Sequence, residues 1–478
     1  LFISAPFNAG AGTQSGAAYV VFGRAQNPGA LNLDNVALGQ GWFKLLGEGS
    51  FDQAGTSIQL AGDVNADGLP DLLVGATNEN SSYVVFGRET WPASISLRDI
   101  SNGIGGFRIL GNSGEGASIV APVGDVDQDG IDDIAIGTPG ASTAGAQSGG
   151  ALLIFGGSRV GQMPPSTIDT RALLARDDGY RLVNEIGASG AQDFAGKSVA
   201  LADFNGDGYA DVLVGAYLDD VGGDGSGSVY VSLGGPTRTT DVNLNGTVTG
   251  IGGFRIVGET GGDQAGFSVA AAGDINNDGF EDIVIGAPGN DAGGNNAGAA
   301  YLVYGRLGPT AAIDLDAIAS GVGGFKLQGP GPSQEAGSSV AGVGDVNNDG
   351  YDDFLVGAGG FNFLNPTPQD TAAFLIYGGP TRSSTINLAV PPVGFVSIIA
   401  ETAGDGSGFS VAGGGDINGD GFADLIIGAP DADPGGIDSG AIYVVFGGAL
   451  SGTINLGTVA GGGGGFKIIG QVPDDYAG

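Results

Sequence analysis

The stretch DINNDGFEDIVIGAP, residues 274–288, decides the fold of this chain. Its first nine residues place acidic or amide side chains at positions 1, 3, 5 and 9 and a glycine at position 6, and an apolar run follows at once. The 478-residue chain repeats this pattern six times, in loops that begin at residues 63, 125, 203, 274, 345 and 416. A repeat of about 70 residues at a nearly fixed spacing is typical of a repeat architecture.

The six loops have the ligand spacing of a calcium cage. Side-chain oxygens at positions 1, 3, 5 and 9 and the backbone carbonyl at position 7 supply the hard oxygen ligands that Ca²⁺ prefers, and the glycine permits the sharp turn. The predicted ligands are Asp63, Asn65, Asp67, Leu69, Asp71, Asp125, Asp127, Asp129, Ile131, Asp133, Asp203, Asn205, Asp207, Tyr209, Asp211, Asp274, Asn276, Asp278, Phe280, Asp282, Asp345, Asn347, Asp349, Tyr351, Asp353, Asp416, Asn418, Asp420, Phe422 and Asp424. We therefore expect six Ca²⁺ sites, because Mg²⁺ fits so long a ring poorly.

Two other interpretations of the loop make different predictions. An EF-hand needs a bidentate glutamate at position 12. Position 12 lies instead in strand-like apolar runs, and its residues are Val74, Ile136, Val214, Ile285, Val356 and Ile427. The loop is therefore expected to join two strands rather than two helices. A metal-free turn is the alternative for a single loop, but six copies with the same ligand spacing favour calcium.

Four strand signals recur in each period. A Ser-Val-Ala type stretch precedes the loop, an apolar run follows it, an aromatic-rich run closed by glycine comes third, and Phe-Lys/Arg-Ile/Leu comes fourth. Four short strands bounded by glycine-rich turns are typical of a propeller blade. We predict an all-β fold in one domain, a seven-bladed β-propeller of four-stranded antiparallel blades. The predicted complete blades are residues 56–111, 117–184, 197–257, 267–328, 338–399 and 409–470, and residues 1–46 belong to a split blade.

The split blade follows from the two chain ends. Residues 1–6 align with residues 72–77, and residues 475–478 align with residues 52–55. The counterpart of residues 56–71, a first strand with its acidic loop, is missing between them. Closure of the ring within one blade is one alternative, and a slice from a longer chain is the one we favour. We expect the inner strand position to be filled by residues before Leu1 or by a strand from another molecule, which would give linear assemblies.

Short motifs beside the loops point to a family. Gly-Ala-Pro follows the apolar run at residues 286–288 and 428–430, and Ala-Gly precedes the first strand at residues 54–55, 195–196 and 265–266. Together with the loops, these motifs resemble the FG-GAP repeats of the integrin α-subunit propeller over essentially the whole chain. The resemblance implies a seven-bladed propeller with calcium in the first inter-strand loops and with ligand-binding loops on the opposite face. Six complete loops and the absence of cysteine depart from integrins and point to a prokaryotic relative.

Composition excludes several function classes. A formal net charge of −36 argues against nucleic acid and anionic membrane surfaces as partners. With no histidine and no cysteine, the chain lacks an imidazole base, a thiolate and an ordinary zinc site. We therefore predict no enzyme activity, and no membrane span, since no apolar stretch approaches the required length. Calcium sites of extracellular modules bind weakly and would stay empty in a cytosol, so we predict a secreted or cell-surface protein.

Binding is the function that such a ring predicts. If the strands follow chain order, the connections opposite the acidic loops form a recognition face. Its longest segments are residues 139–149, 184–193, 218–227 and 359–369, and the last contains Phe361 and Phe363 as candidate anchors. The alternative is that these rings fold back over the central channel. Basic residues recur after the blade aromatic, and we expect them to pair with neighbouring carboxylates; they are Lys44, Arg108, Arg181, Arg255, Lys326 and Lys467.

The sequence thus predicts an extracellular calcium-binding propeller that acts as an adhesion or assembly module and binds a protein or cell-surface ligand. One rival is a glycan-binding, lectin-like module. The second rival is a carboxylate-based enzyme that cleaves polysaccharides. Neighbouring pairs such as Asp132 with Asp133 do not favour the enzyme, because adjacent side chains of a strand point to opposite faces.

Overall fold

The structure is a computed structural model. It describes residues 1–23, 30–33, 41–112, 114–121, 124–142, 147–157, 166–170, 179–183, 192–236, 241–244, 252–308, 312–359, 371–382, 385–392 and 394–478. The apolar runs of these residues form seven β-sheets. In six of these sheets, four antiparallel strands pair in the order in which they occur along the chain. This meander is typical of a propeller blade.

The blades are numbered from the amino terminus. Blade 1 contains β1 (Phe2–Ala5), β2 (Ala17–Val21) and β4 (Trp42–Leu46), and the other six contain four antiparallel strands each. These are β5 (Ala54–Gly62), β6 (Asp71–Ala76), β7 (Ser81–Val85) and β9 (Gly106–Leu110) in blade 2; β10 (Ile119–Val120), β11 (Ile134–Gly137), β12 (Gly150–Ile154) and β14 (Gly179–Val183) in blade 3; β15 (Ser198–Ala202), β16 (Asp211–Ala216), β17 (Ser228–Ser232) and β19 (Gly253–Val257) in blade 4; β20 (Ser268–Gly273), β21 (Asp282–Ala287), β22 (Ala299–Val303) and β24 (Gly324–Gln328) in blade 5; β25 (Val340–Gly344), β26 (Asp353–Gly357), β27 (Thr371–Ile376) and β29 (Phe395–Ile399) in blade 6; and β30 (Ser410–Gly415), β31 (Asp424–Ala429), β32 (Ala441–Val445) and β34 (Gly465–Ile469) in blade 7.

First strands of neighbouring blades contact one another. β15 contacts β20, β20 contacts β25, and β25 contacts β30, so the first strands line the axis of the ring. Second strands such as β6, β16 and β21 are buried along their whole length, because a blade is covered on both faces by its neighbours. The seven-bladed propeller predicted from the sequence is confirmed.

Each sheet also contains one parallel strand that the sequence did not reveal, which is the fifth strand in six of the sheets and the fourth in the sheet of blade 1. This strand lies in the connection between the third and fourth strands of one blade. It pairs in parallel with the fourth strand of the blade before it. These strands are β3 (Leu31–Asn32), β8 (Ser94–Ser96), β13 (Thr167–Asp169), β18 (Val242–Asn243), β23 (Ile313–Asp314), β28 (Ile386–Asn387) and β33 (Gly452–Asn455). They are too short for a period-two pattern to stand out.

Three of these connections continue into short α-helices: Leu97–Ser101, Leu315–Ala319 and Leu456–Ala460. In each, the residue before the helix caps it, and the side chain of Asp314, for example, accepts a hydrogen bond from the backbone N–H of Asp316. Leu315 and Ile318 of the second helix are buried against β22 and β24. A five-residue helix is not stable alone, so this packing holds it in place.

Blade 1 meets blade 7 at several contacts. β3 lies in the connection of blade 1 and pairs in parallel with β34, with Leu31 opposite Ile468. The amide side chain of Asn8 donates to Asp475 at 3.0 Å, and the backbone N–H of Gly478 donates to the carbonyl of Ser4 at 3.3 Å. Residues near the two chain ends are therefore in contact. Blade 1 has three antiparallel strands in the described part of the chain, and the filling of its inner position stays a prediction.

Candidate metal centres

All six acidic loops join the first strand of a blade to its second strand. In blade 5, for example, β20 ends at Gly273 and β21 begins at Asp282. The position-12 residues, at which an EF-hand would need glutamate, lie in second strands and are fully buried. The loops are thus strand connections, as predicted. Because first strands run in the same direction around the axis, the six loops lie on one face of the ring, which we call the loop face.

Hydrogen bonds inside each loop hold the acidic side chains around one point. In all six loops the N–H of the position-6 glycine donates to the position-1 carboxylate at 2.8–2.9 Å. The N–H of the position-7 residue donates to the position-5 carboxylate at 2.9–3.1 Å. In the first loop the N–H of Asp67 also donates to Asn65 Oδ1 at 2.9 Å. These bonds set the loop conformation before any ligand is considered.

Two residues in every loop adopt the left-handed conformation. The position-6 glycine was expected to do so, and φ there is 85–93°. Position 4 also has φ of 57–79°, although it is Ala66, Gln128, Gly206, Asn277, Asn348 or Gly419. Glycine and asparagine tolerate this conformation well, whereas alanine and glutamine do not. Because position 4 is not always glycine or asparagine, the sequence did not predict a left-handed residue there.

The position-9 aspartate is the buried anchor of each loop. In blade 5, Asp282 is fully buried, and its carboxylate accepts the N–H of Ile275 at 3.0 Å and the N–H of Gly305 at 2.8 Å. It thereby joins the start of the loop to the end of the third strand. Burial raises the pKa of five of these side chains to about 7: Asp71, Asp133, Asp211, Asp282 and Asp353. A buried carboxylate without a cation is costly, so this position favours a bound cation.

The loop of blade 3 brings three carboxylates together. Oxygens of Asp125, Asp127 and Asp133 lie within 4.8 Å of one another. In the other five loops position 3 is asparagine, so one carboxylate fewer is available. In the loop of blade 5, both the amide oxygen and the amide nitrogen of Asn276 are buried without a hydrogen-bond partner. The oxygen is therefore available to a metal ion. The donor set therefore fits a hard cation such as Ca²⁺, while the assignment of individual ligands stays a prediction.

Acidic side chains at position 8 join neighbouring loops, a contact that sequence reasoning missed. Asp352 of blade 6 accepts the backbone N–H of Asp274 of blade 5 at 2.8 Å. Glu281 and Asp132 make the same bond to Asp203 and Asp63, at 2.8 and 3.0 Å. The preceding glycine must stay small, because a Cβ on Gly273 would lie 2.3 Å from Asp352 Oδ2. Adjacent acids such as Asp132 and Asp133 thus serve different loops.

The basic residues of the fourth strands take part in a second set of contacts between blades. In blade 7, Lys467 Nζ donates to Glu401 Oε2 at 2.7 Å, and the hydroxyl of Tyr443 donates to the same oxygen at 2.6 Å. Glu401 follows the last strand of blade 6. Burial acts to raise the pKa of Glu401, but the hydrogen bonds from Lys467 and Tyr443 lower it overall. The expected pairing with carboxylates is confirmed here.

The other basic residues of the fourth strands make related contacts, but their partners differ from blade to blade. Lys326 pairs with Glu259, Arg108 with Glu48 and Glu79, and Arg181 with Asp241. Arg255 lies over the ring of Tyr230, 5.9 Å from its centroid. At the contact between blades 7 and 1, Gln471 replaces the glutamate and accepts from Lys44 at 2.8 Å and from Tyr19 at 2.6 Å. A neutral amide can therefore occupy the acceptor position.

This replacement leads to a matched pair of variants. Lys326→Met is expected to lower the free energy of unfolding by about 3 kcal/mol, since it leaves the carboxylate of Glu259 at a largely buried contact without its cation. Glu259→Gln is expected to cost less than half as much, because Gln471 accepts the same two bonds elsewhere in the ring. Denaturant unfolding of both variants measures the difference. Equal losses would contradict a role for the charge in this contact.

The face opposite the loops carries a cavity of about 480 Å³. Its lining comes from residues just before the first strands of blades 4 to 7, among them Lys197, Phe267, Ser338 and Phe409, and from the turn after the second strand of blade 5 at Pro288. The cavity therefore lies near the axis, at the opposite end of the first strands from the acidic loops. We call this side the recognition face.

The long segments predicted for the recognition face are only partly described. Residues 218–227 are described, while 143–146, 184–191 and 360–370 lie outside the described residues. The predicted anchors Phe361 and Phe363 belong to the last of these ranges. Within the described part, Phe409 is 43% exposed and Phe51 is 56% exposed on the same face. Exposed aromatic side chains are thus present there at positions the sequence did not single out.

Comparison with known proteins identifies the repeat. Six segments match the family model described as FG-GAP repeat: residues 54–87, 117–155, 195–232, 265–303, 336–376 and 407–445. Each contains one acidic loop with the strands that flank it. The chain is an integrin-α-like FG-GAP β-propeller. The resemblance seen in the sequence is confirmed.

Individual relatives match parts of this FG-GAP propeller. Phosphatidylinositol-glycan-specific phospholipase D of Bos taurus is 36% identical over 189 residues, which cover 39% of this chain and 21% of that protein. Integrin alpha-V of Gallus gallus is 32% identical over 248 residues, 50% of this chain and 19% of that protein. Integrin alpha pat-2 of Caenorhabditis briggsae is 30% identical over 243 residues, 49% of this chain and 17% of that protein. The chain spans about a fifth of the length of these relatives.

The described residues contain no helix with the length and apolar character required to cross a membrane.

Proposed function

We propose that this FG-GAP propeller is a calcium-stabilised adhesion or assembly module that binds a protein ligand through its recognition face. One observation carries the proposal: the six acidic loops occupy one face, and a cavity with aromatic and charged side chains opens on the other. The loop face would hold the metal and the recognition face would stay available for a partner. Similarity to integrin alpha chains supports an adhesion or protein-binding role.

In this proposal, each Ca²⁺ is held by the side chains at positions 1, 3, 5 and 9 and the carbonyl at position 7 of a loop. The ion supplies positive charge where several carboxylates meet, and no chemistry beyond that. Extracellular calcium sites are typically weak, at about 10⁻⁴ to 10⁻³ M, so we propose that the protein works outside the cell or on its surface. The prokaryotic origin stays a prediction.

A variant on the recognition face tests the adhesion proposal. Phe409→Ala removes a 43% exposed aromatic side chain from the cavity rim, and buried aromatic anchors at interfaces typically contribute about 2 kcal/mol or more. We expect beads coated with the wild-type chain to adhere to at least one purified matrix protein in Ca²⁺, and Phe409→Ala beads to adhere at least tenfold less. Leu307→Ala is the control, since Leu307 is 78% exposed and follows the third strand of blade 5, on the loop face.

Two outcomes would contradict adhesion through this face. If both variants adhere like the wild type, the ligand does not bind at the cavity rim. If Phe409→Ala lowers the melting temperature as much as adhesion, the side chain has a packing role. The double variant Phe361→Ala/Phe363→Ala tests the sequence-based anchors in the same assay.

The two rival functions make distinct predictions. A lectin-like module would bind on a glycan array and not to deglycosylated protein surfaces. A polysaccharide-cleaving enzyme would release products from uronic polymers. The phospholipase D relatives are named for an enzyme activity, and this chain matches about a fifth of the first of them. We propose no catalysis here, because a chain without histidine or cysteine offers few catalytic groups. Assembly through the inner edge of blade 1 remains a separate proposal, and concentration-dependent linear oligomers would support it.

A further inference from the structure

Lys197 differs from the other lysines of the chain. There are four lysines, and three of them, Lys44, Lys326 and Lys467, donate to acceptors in the contacts between blades. Lys197 precedes β15 on the recognition face and lines the cavity. Its Nζ lies over the ring of Phe267, 5.2 Å from the centroid. Among the residues that the structure describes, Lys197 Nζ has this ring contact with blade 5 but no hydrogen-bond acceptor, unlike the other three lysines.

The ammonium group of Lys197 is poorly compensated. Within the part of the chain that the structure describes, no carboxylate oxygen lies within 4.0 Å of it. Burial lowers the pKa of Lys197. In a protein with a net charge of −36, a largely buried cation without an acidic partner is unusual. A buried ammonium group without a carboxylate partner favours the binding of an anion from outside the chain.

The cavity around Lys197 contains polar donors as well as apolar walls. Ser338 lines it, and the hydroxyl of this serine is buried without a hydrogen-bond partner. Phe267, Val340 and Pro288 supply apolar surface beside it. Glu335 also lines the cavity and adds one negative charge of its own. A volume of about 480 Å³ is within the range of sites for small ligands or a few side chains.

We propose that this cavity binds a single carboxylate carried on an apolar stem, such as an acidic side chain or a carboxyl terminus of the partner protein. Lys197 supplies the charge, the serine hydroxyl supplies a hydrogen bond, and Phe267 packs against the stem. A dianion such as a phosphate monoester is disfavoured by Glu335 and by the net charge of the chain. The inference rests on the proposed function, because it names the chemistry that the recognition face would select.

The small number of lysines makes the test direct. Reductive ¹³C-dimethylation keeps the positive charge and labels four lysine side chains and the amino terminus, and Lys197→Arg identifies the signal of Lys197. Titration with 3-phenylpropionate is expected to shift this signal saturably and to leave the other three lysines unchanged. The neutral amide 3-phenylpropanamide should bind at least tenfold more weakly, and so should phenethyl phosphate. Lys197→Met should weaken 3-phenylpropionate binding at least tenfold in calorimetry.

Each other outcome overturns the inference. Equal binding of the amide shows that the cavity recognises only the apolar stem, and stronger binding of the phosphate shows that it selects dianions. An unshifted Lys197 signal shows that the carboxylate does not reach this lysine. Melting of Lys197→Met in Ca²⁺ controls for folding. If the carboxylate fails to bind while Phe409→Ala still abolishes adhesion, the inference is wrong and the proposed adhesion function stands.

Discussion

Removal of calcium by a chelator is expected to lower the melting temperature of this propeller by tens of degrees. Each site that binds only the folded state contributes about 2.7 kcal/mol when Ca²⁺ is a hundredfold above its dissociation constant. Six such sites would together match the whole stability of a typical domain, about 5–15 kcal/mol. Nineteen of the predicted ligand side chains are carboxylates, and they repel one another within each loop once the ion is gone.

Thermal unfolding in EGTA, followed by addition of excess Ca²⁺ or Mg²⁺, measures this effect. Ca²⁺ should restore the melting temperature, whereas Mg²⁺ should restore little of it because the loops are too large for its octahedral shell. High salt without calcium should give partial recovery by screening the carboxylates. A melting temperature that does not respond to the chelator would contradict the calcium assignment.

The sequence predicted the strands and loops of this fold because their signals are local. Apolar runs such as Ile283–Val284–Ile285 follow an acidic loop that has few other uses, and they recur six times. The repeat also predicted the role of Lys326, because a basic residue that returns at the same place in each blade needs a structural acceptor. The repeat thus predicted both the fold and the pairing of the basic residues with acceptors.

Contacts between blades were harder to predict. The parallel pairing of Ile313 with Ile256 joins residues of different blades, and a two-residue strand carries no periodic signal of its own. The hydrogen bond that Asp352 accepts from Asp274 of the preceding loop requires an acid at position 8. Three of the loops have Pro70, Ala210 or Ala423 at that position instead. A feature present in only half of the loops does not stand out against the repeat.

The cavity on the recognition face was also hard to predict from the sequence. Lys197 occupies a position that is Phe267 in blade 5, Ser338 in blade 6 and Phe409 in blade 7. Residues at this position converge on one cavity because the first strands surround the axis. Variation at an otherwise regular position therefore builds the cavity, and no single repeat reveals it.

The two kinds of aspartate in a loop should differ sharply when they are substituted. Asp282 at position 9 is fully buried and accepts the N–H groups of Ile275 and Gly305, so it holds the loop in place whether or not calcium is bound. Asp278 at position 5 is exposed and accepts the N–H of Phe280. The first is expected to support the fold directly, and the second mainly through the metal.

Unfolding of both variants in EGTA and in Ca²⁺ separates these roles. In EGTA, Asp282→Ala should lower the free energy of unfolding by about 3–5 kcal/mol, because two buried N–H groups lose a charged acceptor. In the same buffer Asp278→Ala should change it by less than about 1 kcal/mol, since the loss of one weak exposed bond is offset by reduced repulsion. In Ca²⁺ both variants should fall below the wild type, because each lacks a ligand of the same site. If Asp282→Ala costs nothing in EGTA, the buried aspartate does not hold the loop to the third strand; if Asp278→Ala costs nothing in Ca²⁺, position 5 is not a calcium ligand.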